Sequence, residues 1–235
     1  MRVFSVVGNK DTGKTTLTTR IIKELKNRGF TVGTVKHSHH SMVMDKEGTD
    51  TFKHKSAGAK TVVGVGSTTF FNVDNQLSLD RILFLVKMID EPDFLVIEGF
   101  KDYPYPKIST SNNLVDDYTI KNVDAKSLSD DEVKDLVDLA EKYAYDIIDT
   151  LFVDDCGYTD ANNIAKAFIN DDLEYDTSSQ ADVSLAIDGI NIGLNPFVND
   201  FIKKTILGML ESLKTSEYGV EDFNKIELLI NNKKK

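Results

Sequence analysis

The feature that most constrains this chain is Gly8-Asn9-Lys10-Asp11-Thr12-Gly13-Lys14-Thr15, set between an apolar run and a helical pattern. The preceding run, Val3-Phe4-Ser5-Val6-Val7, is β-branched and apolar, as a strand buried in a parallel sheet must be. The following residues, Thr15 to Asn27, place Leu17, Ile21, Ile22 and Leu25 at helical spacing, and Gly29 suits the C-terminal cap. The segment fits G-x-x-x-x-G-K-[ST]. Its glycines let backbone N–H groups curl around phosphates, Lys14 would reach the β and γ phosphates, and the Thr15 hydroxyl would ligate Mg²⁺. The helix beginning there adds its positive N-terminal end.

Thr31 to Val35 reads as the next strand, completing a right-handed βαβ unit. Thr61 to Val65, Thr68 to Val73 and Phe94 to Ile97 read as further strands, with Tyr118 to Val123 a weaker one. Leu79 to Met88 and Asp131 to Tyr143 read as helices, and His37 to Asp50 as a polar loop. The alternation implies an α/β, three-layer P-loop NTPase domain with a mostly parallel sheet. Near residue 150 the character changes. Val183 to Ile187 and Ile190 to Leu194 flank Asp188-Gly189, a strong hairpin signal. Asn195-Pro196 then opens a helix whose apolar stripe is Val198, Phe201, Ile202, Ile206, Met209 and Leu213, and Lys225 to Ile230 resembles a last strand. The expected division is 1–147 for the P-loop domain and 148–235 for a small α+β extension.

A carboxylate is required at the end of a neighbouring strand. Glu98 follows Phe94-Leu95-Val96-Ile97 directly, where it could serve Mg²⁺ or orient an attacking water, and Gly99 beside it is expected to leave room for a ligand. Lys14 and Glu98 are thus the candidate catalytic residues, and Thr15 and Glu98 the candidate metal ligands. Phosphate contacts are expected from Gly8 through Thr16, that is from Gly8, Asn9, Lys10, Asp11, Thr12, Gly13, Lys14, Thr15 and Thr16.

Charge and cysteine usage exclude other classes. A net charge of -10 over 235 residues argues against a nucleic-acid binder. The single cysteine, Cys156, permits no internal disulfide, which fits a cytoplasmic setting. No apolar run approaches the roughly 18 residues a membrane span needs, and the opening residues leave no room for a signal peptide.

Further blocks occur in order: Thr34 to His40, Asp45-Lys46-Glu47-Gly48-Thr49-Asp50-Thr51, Ala57-Gly58-Ala59, Pro92 to Lys101, and Pro106-Lys107-Ile108. With Gly13-Lys14-Thr15-Thr16-Leu17 they resemble the MobB family, the molybdopterin-guanine dinucleotide biosynthesis adapters, over about residues 1 to 147. The resemblance implies a GTP-binding homodimer with weak GTPase activity that assists a MobA-like guanylyltransferase in attaching GMP to molybdopterin. Guanine preference rests on the resemblance alone, because no N-K-x-D motif is present in suitable spacing. The resemblance puts the loop of His37, His39 and His40 on the substrate or nucleotide side. Phosphate or pterin contact, a structural polar loop and a metal site all stay open for it. His37, Lys36, Asp50 and Lys101 could join that site.

Residues 151 to 235 resemble an extension of archaeal MobB-like proteins that carries a four-iron cluster pattern. Here only Cys156 of that pattern remains, so no iron–sulfur centre is expected. Two rival readings share the motif. A nickel-delivery GTPase should also carry a cysteine-containing metal motif, and a small-molecule kinase should carry an arginine-rich lid. Slow hydrolysis is expected, since none of Arg2, Arg20, Arg28 and Arg81 lies in a loop beside the motif.

Overall fold

A computed structural model describes residues 1–38, 45–147, 160–174 and 182–231. Its main sheet has five strands: β1 (Arg2–Val7), β2 (Val32–Lys36), β5 (Phe94–Glu98), β6 (Lys107–Ser109) and β7 (Thr119–Asn122). Their order across the sheet is β2-β5-β1-β6-β7, and every pairing is parallel. The strand that leads into Gly8 therefore lies in the middle, with Glu98 at the end of the strand beside it.

Alternation along the two central strands builds the layers. Val3, Leu95 and Ile97 face one core, together with Leu79, Leu83, Ile164, Ala165 and Phe168. Phe4, Val6, Phe94 and Val96 face the other, with Leu17, Ile21, Leu25, Val133, Leu136, Val137 and Ala140. Helices α1 (Lys14–Asn27) and α4 (Asp130–Tyr143) thus cover one face. Helices α3 (Leu79–Ile89) and α5 (Ala161–Ile169) cover the other. The start of α4 is fixed by a capping box between Ser129 and Glu132. Gly29, at φ 92°, follows the last turn of α1 as expected of a left-handed terminator.

Several expectations need correction. Among the described residues, the strands β3 (Thr61–Val65) and β4 (Thr69–Val73) pair only with each other, as an antiparallel hairpin outside the main sheet. Asp50 ends the polar loop by opening a short helix, α2 (Asp50–Ser56), capped by the Thr49 side chain. No strand forms over Lys225 to Ile230, and the Lys225 ammonium donates to the Met88 carbonyl oxygen at 2.5 Å. The hairpin at Asp188-Gly189 is present as β8 (Leu185–Ile187) and β9 (Ile190–Ile192). Helix α6 (Pro196–Glu211) starts at Asn195, whose side chain accepts from the Val198 N–H. Its apolar stripe is not a core face, however, since Phe201, Met209 and Leu213 are exposed. Among the described residues, no helix is long and apolar enough to cross a membrane.

Candidate functional site

The loop after β1 is built by two conformational demands and one steric demand. Asp11 and Gly13 adopt positive φ, 62° and 86°, a region that Asp tolerates and Gly occupies freely. Gly8 is needed for space: a Cβ there would stand 1.9 Å from the Thr110 hydroxyl oxygen. Beneath the loop, the Thr12 and Thr110 hydroxyls share a hydrogen bond of 2.6 Å, and the Thr12 hydroxyl also lies 2.9 Å from the Asn9 carbonyl oxygen. The Asn9 N–H donates to the Ser111 hydroxyl at 2.9 Å, and the Asn9 amide donates to Asn113 at 2.8 Å. The loop is thereby fastened to the end of β6.

Lys14 opens α1 and donates its ammonium to the Asn9 carbonyl, across the mouth of the loop. Thr15 follows, and its hydroxyl donates to the Glu98 carboxylate at 2.8 Å. Lys36, at the end of β2, lies 3.0 Å from the same Glu98 oxygen and 3.2 Å from the Thr15 hydroxyl. Three strand or loop ends thus deliver a hydroxyl, a carboxylate and an ammonium to one point. Lys10, Asp11, Gly13, Lys14, Thr15, Thr16 and Glu98 line a single open cavity of about 680 Å³. The sequence had grouped these residues, and the fold brings them together.

Arg20, Ala125 and Lys126 line the same cavity and were not foreseen. Ala125 and Lys126 follow β7, whose end lies on the same edge of the sheet as Gly8. Arg20 lies one and a half turns along α1 from Thr15, and its guanidinium is engaged by the Leu128 carbonyl at 2.8 Å and Asp130 at 2.7 Å. It holds the turn after β7 against the helix that follows the phosphate loop.

The remaining candidates lie apart from the cavity lining. Asp50 is exposed and pairs with Lys53 at 3.0 Å. Lys101 lends its carbonyl to the buried ammonium of Lys107, which also pairs with Asp116. The His37 ring stacks on Phe100, with centroids 4.3 Å apart, and the His37 backbone N–H donates to the Glu98 carbonyl at 2.9 Å. Gly99 does not leave room for a ligand: at φ 106°, a Cβ there would meet His37 Cβ at 3.1 Å. Its smallness serves the approach of the His37 backbone. His39, His40 and Cys156 lie outside the described residues, among which no cluster of histidine, cysteine and carboxylate suited to a metal is found.

A parallel sheet, a central strand running into this loop, and a hydroxyl–carboxylate pair at its mouth define a P-loop NTPase-type protein. Sequence comparison narrows the class. Residues 3–148 match the profile of MobB, Molybdopterin guanine dinucleotide synthesis protein B, and the chain belongs to that family. A putative molybdopterin-guanine dinucleotide biosynthesis adapter protein of Methanocaldococcus jannaschii is 32% identical over 227 residues, spanning 91% of this chain and 92% of the relative. The molybdopterin-guanine dinucleotide biosynthesis adapter protein of Haemophilus influenzae is 36% identical over 111 residues, 45% of this chain and 61% of that one. Among solved structures, Bacillus subtilis MobB is similar at 31% identity and a TM-score of 0.42, covering 46% of this chain and 67% of that chain.

Proposed function

We propose that this protein is a GTP-binding adapter in molybdenum or tungsten cofactor guanylylation, with slow intrinsic GTP hydrolysis. The observation that carries the reading is the meeting of Thr15 and Glu98, 2.8 Å apart, at the mouth of the phosphate loop. Similarity to the Methanocaldococcus jannaschii adapter along nearly the whole chain supports the pathway.

The oxygen donors fit a hard cation such as Mg²⁺, which takes hydroxyl and carboxylate ligands. The Lys36 ammonium, within 3.2 Å of both, marks this as a point where positive charge is stable. Thr15 and Glu98 would hold the ion there, and it would supply charge neutralisation to the β and γ phosphates. Lys14 would leave the Asn9 carbonyl and donate to a phosphate oxygen, a stronger, charge-assisted bond. The N–H groups of Gly13 to Thr16 would complete the cradle at the positive end of α1.

Slow turnover follows from the arginines. Rapid P-loop hydrolysis uses a guanidinium to stabilise the transition state. Arg20 is the arginine lining this cavity, and its donors are engaged by Leu128 and Asp130. Binding, rather than fast chemistry, is therefore the useful output, and the adapter would present GTP or molybdopterin to a MobA-like guanylyltransferase. We read the protein as a homodimer. One face of the β3–β4 hairpin supports this, since Val63, Val65, Phe71 and Val73 are all exposed on it.

The test is reconstituted guanylylation with a purified MobA-like guanylyltransferase, molybdopterin and Mg²⁺-GTP. Wild type is expected to raise the yield of guanine dinucleotide, and Lys14→Ala to abolish that gain. Equal stimulation by both would refute a nucleotide-dependent adapter.

A further inference from the structure

We propose that a second cavity, beside the phosphate loop, receives the nucleobase, and that Asp124 selects guanine over adenine there. This rests on the reading of the loop as a nucleotide site. The second cavity has a volume of about 480 Å³ and is walled by Thr110, Ser111, Asn112, Asn122 and Asp124. It shares Asp11 and Lys126 with the cavity at the phosphate loop, so the two are contiguous. A nucleotide with its phosphates at Lys14 has this space within its reach.

The position follows from the topology. β6 lies next to β1, β7 lies next to β6, and Ser109 pairs with Asn122 at their carboxyl ends. Ligands of open parallel sheets bind beyond those carboxyl ends. The turn after β7 also touches the loop directly, since a Cβ on Gly13 would meet the Ala125 methyl at 3.2 Å.

The chemistry of the wall separates the purines. Asp124 is the carboxylate at the end of β7, and an ionised carboxylate only accepts hydrogen bonds. Guanine presents two adjacent donors, N1–H and the 2-amino group, which match its two oxygens. Adenine presents the bare N1 lone pair and a C–H at the same edge, so it would face the carboxylate with a like partial charge. A hydrogen bond to a charged group contributes about 1.5–3 kcal/mol, so two of them separate guanine from adenine by about a hundredfold or more.

The wall is also held in place before any ligand arrives. The Lys126 N–H donates to Asp124 Oδ1 at 3.1 Å, leaving other acceptor positions on the carboxylate. The Ser127 N–H donates to the Asp124 carbonyl at 3.2 Å, and Val123 N–H to Ser109 at 2.9 Å. Ala125 is buried in the core beneath α1, and Arg20 ties the following residues to that helix. Asn122 donates to Asn112 at 2.5 Å across the floor. Such support keeps the selecting group in position. The apolar stem of Lys126, between the two cavities, can lie along a base face.

Calorimetry on the full chain with Mg²⁺ decides the matter, using GTP, ATP, xanthosine triphosphate and inorganic tripolyphosphate. Wild type is expected to prefer GTP over ATP by a hundredfold or more. Asp124→Asn is expected to weaken GTP at least tenfold and strengthen xanthosine triphosphate at least tenfold. The new amide would accept from N1–H and donate to the 2-oxo group. Tripolyphosphate, which has no base, should bind both proteins equally and so reports an intact fold and loop. An unchanged ratio of GTP to xanthosine triphosphate, with tripolyphosphate still bound, overturns the role of Asp124. Loss of tripolyphosphate and every nucleotide from wild type overturns it together with the nucleotide reading on which it rests.

Discussion

Replacing Gly8 by alanine probes the foundation of the phosphate loop. Gly8 is not among the residues with positive φ, so the cost is one of space rather than backbone conformation. The new methyl would lie 1.9 Å from Thr110 Oγ1, 2.8 Å from Thr12 Oγ1 and 3.2 Å from Thr110 Cβ. Thr110 would have to rotate, giving up its 2.6 Å bond with Thr12 and its 3.2 Å bond to the Val7 carbonyl. Each neutral hydrogen bond contributes about 1 kcal/mol net, and overpacking costs about 1–3 kcal/mol. The expected loss is therefore about 3–5 kcal/mol, divided between stability and the shape of the loop. Urea unfolding should show a lower midpoint at unchanged slope, and calorimetry a GTP affinity at least tenfold weaker. Thr110→Ala on the Gly8→Ala background removes the shortest contact but keeps the one to Thr12. The double variant should recover about 1–2 kcal/mol relative to additivity. A Gly8→Ala protein within about 0.5 kcal/mol of wild type and with normal GTP affinity would refute the steric reasoning, as would strictly additive costs.

Three further outcomes are expected. Lys87→Ala should destabilise the fold by about 3 kcal/mol in urea titration, because it removes the nearer of two ammonium groups from the fully buried Asp146 carboxylate, Lys87 lying at 2.7 Å and the Met1 ammonium at 4.0 Å. Lys87→Met combined with Asp146→Asn, which neutralises both partners, should cost much less. Burial pushes the Asp80 carboxyl above its ordinary range. The native state then holds that proton more tightly than the unfolded chain, so the group lowers stability at neutral pH and the penalty disappears as pH falls through the raised pKa. The stability gain of Asp80→Asn, read from urea midpoints, should accordingly be larger at pH 7 than near about pH 4. Glu98→Gln should keep the fold and tripolyphosphate binding, while Mg²⁺ ceases to strengthen GTP binding in calorimetric titrations.

The parts of this protein that sequence reveals are those fixed by local rules. The β1–loop–α1 unit and β5 are apolar runs bounded by glycine or a carboxylate, so Lys14, Thr15 and Glu98 could be placed before the fold was known. Other parts depend on distant residues. β6 is three residues long, and its Lys107 reads as a surface residue until Asp116 and the Lys101 carbonyl are seen to satisfy it. α2 has seven residues and no buried face, so it leaves no apolar period. The β3–β4 strands were legible, but their separation from the main sheet was not, because pairing partners carry no local signature. α6 shows the reverse: its stripe is legible, yet Phe201 and Met209 are exposed in the folded chain. Ala125 and Lys126 carry no local signal because the turn after β7 reaches the loop only through sheet order, whereas Arg20, which lies in no loop, reaches the cavity from α1. Lys225 to Ile230 has strand-like composition but pairs with no strand among the described residues, and composition alone does not supply a partner edge.

The central claim is that Gly8 to Thr16 cradles the phosphates of a guanine nucleotide. Calorimetry with Mg²⁺ and GTP, GDP or ATP, on wild type and Lys14→Ala, tests it most directly. The account predicts one site per chain, GTP bound far more tightly than ATP, and at least a tenfold loss on removing the Lys14 ammonium. GTP affinity unchanged in Lys14→Ala would contradict the cradle, and equal affinity for GTP and ATP would contradict its guanine preference.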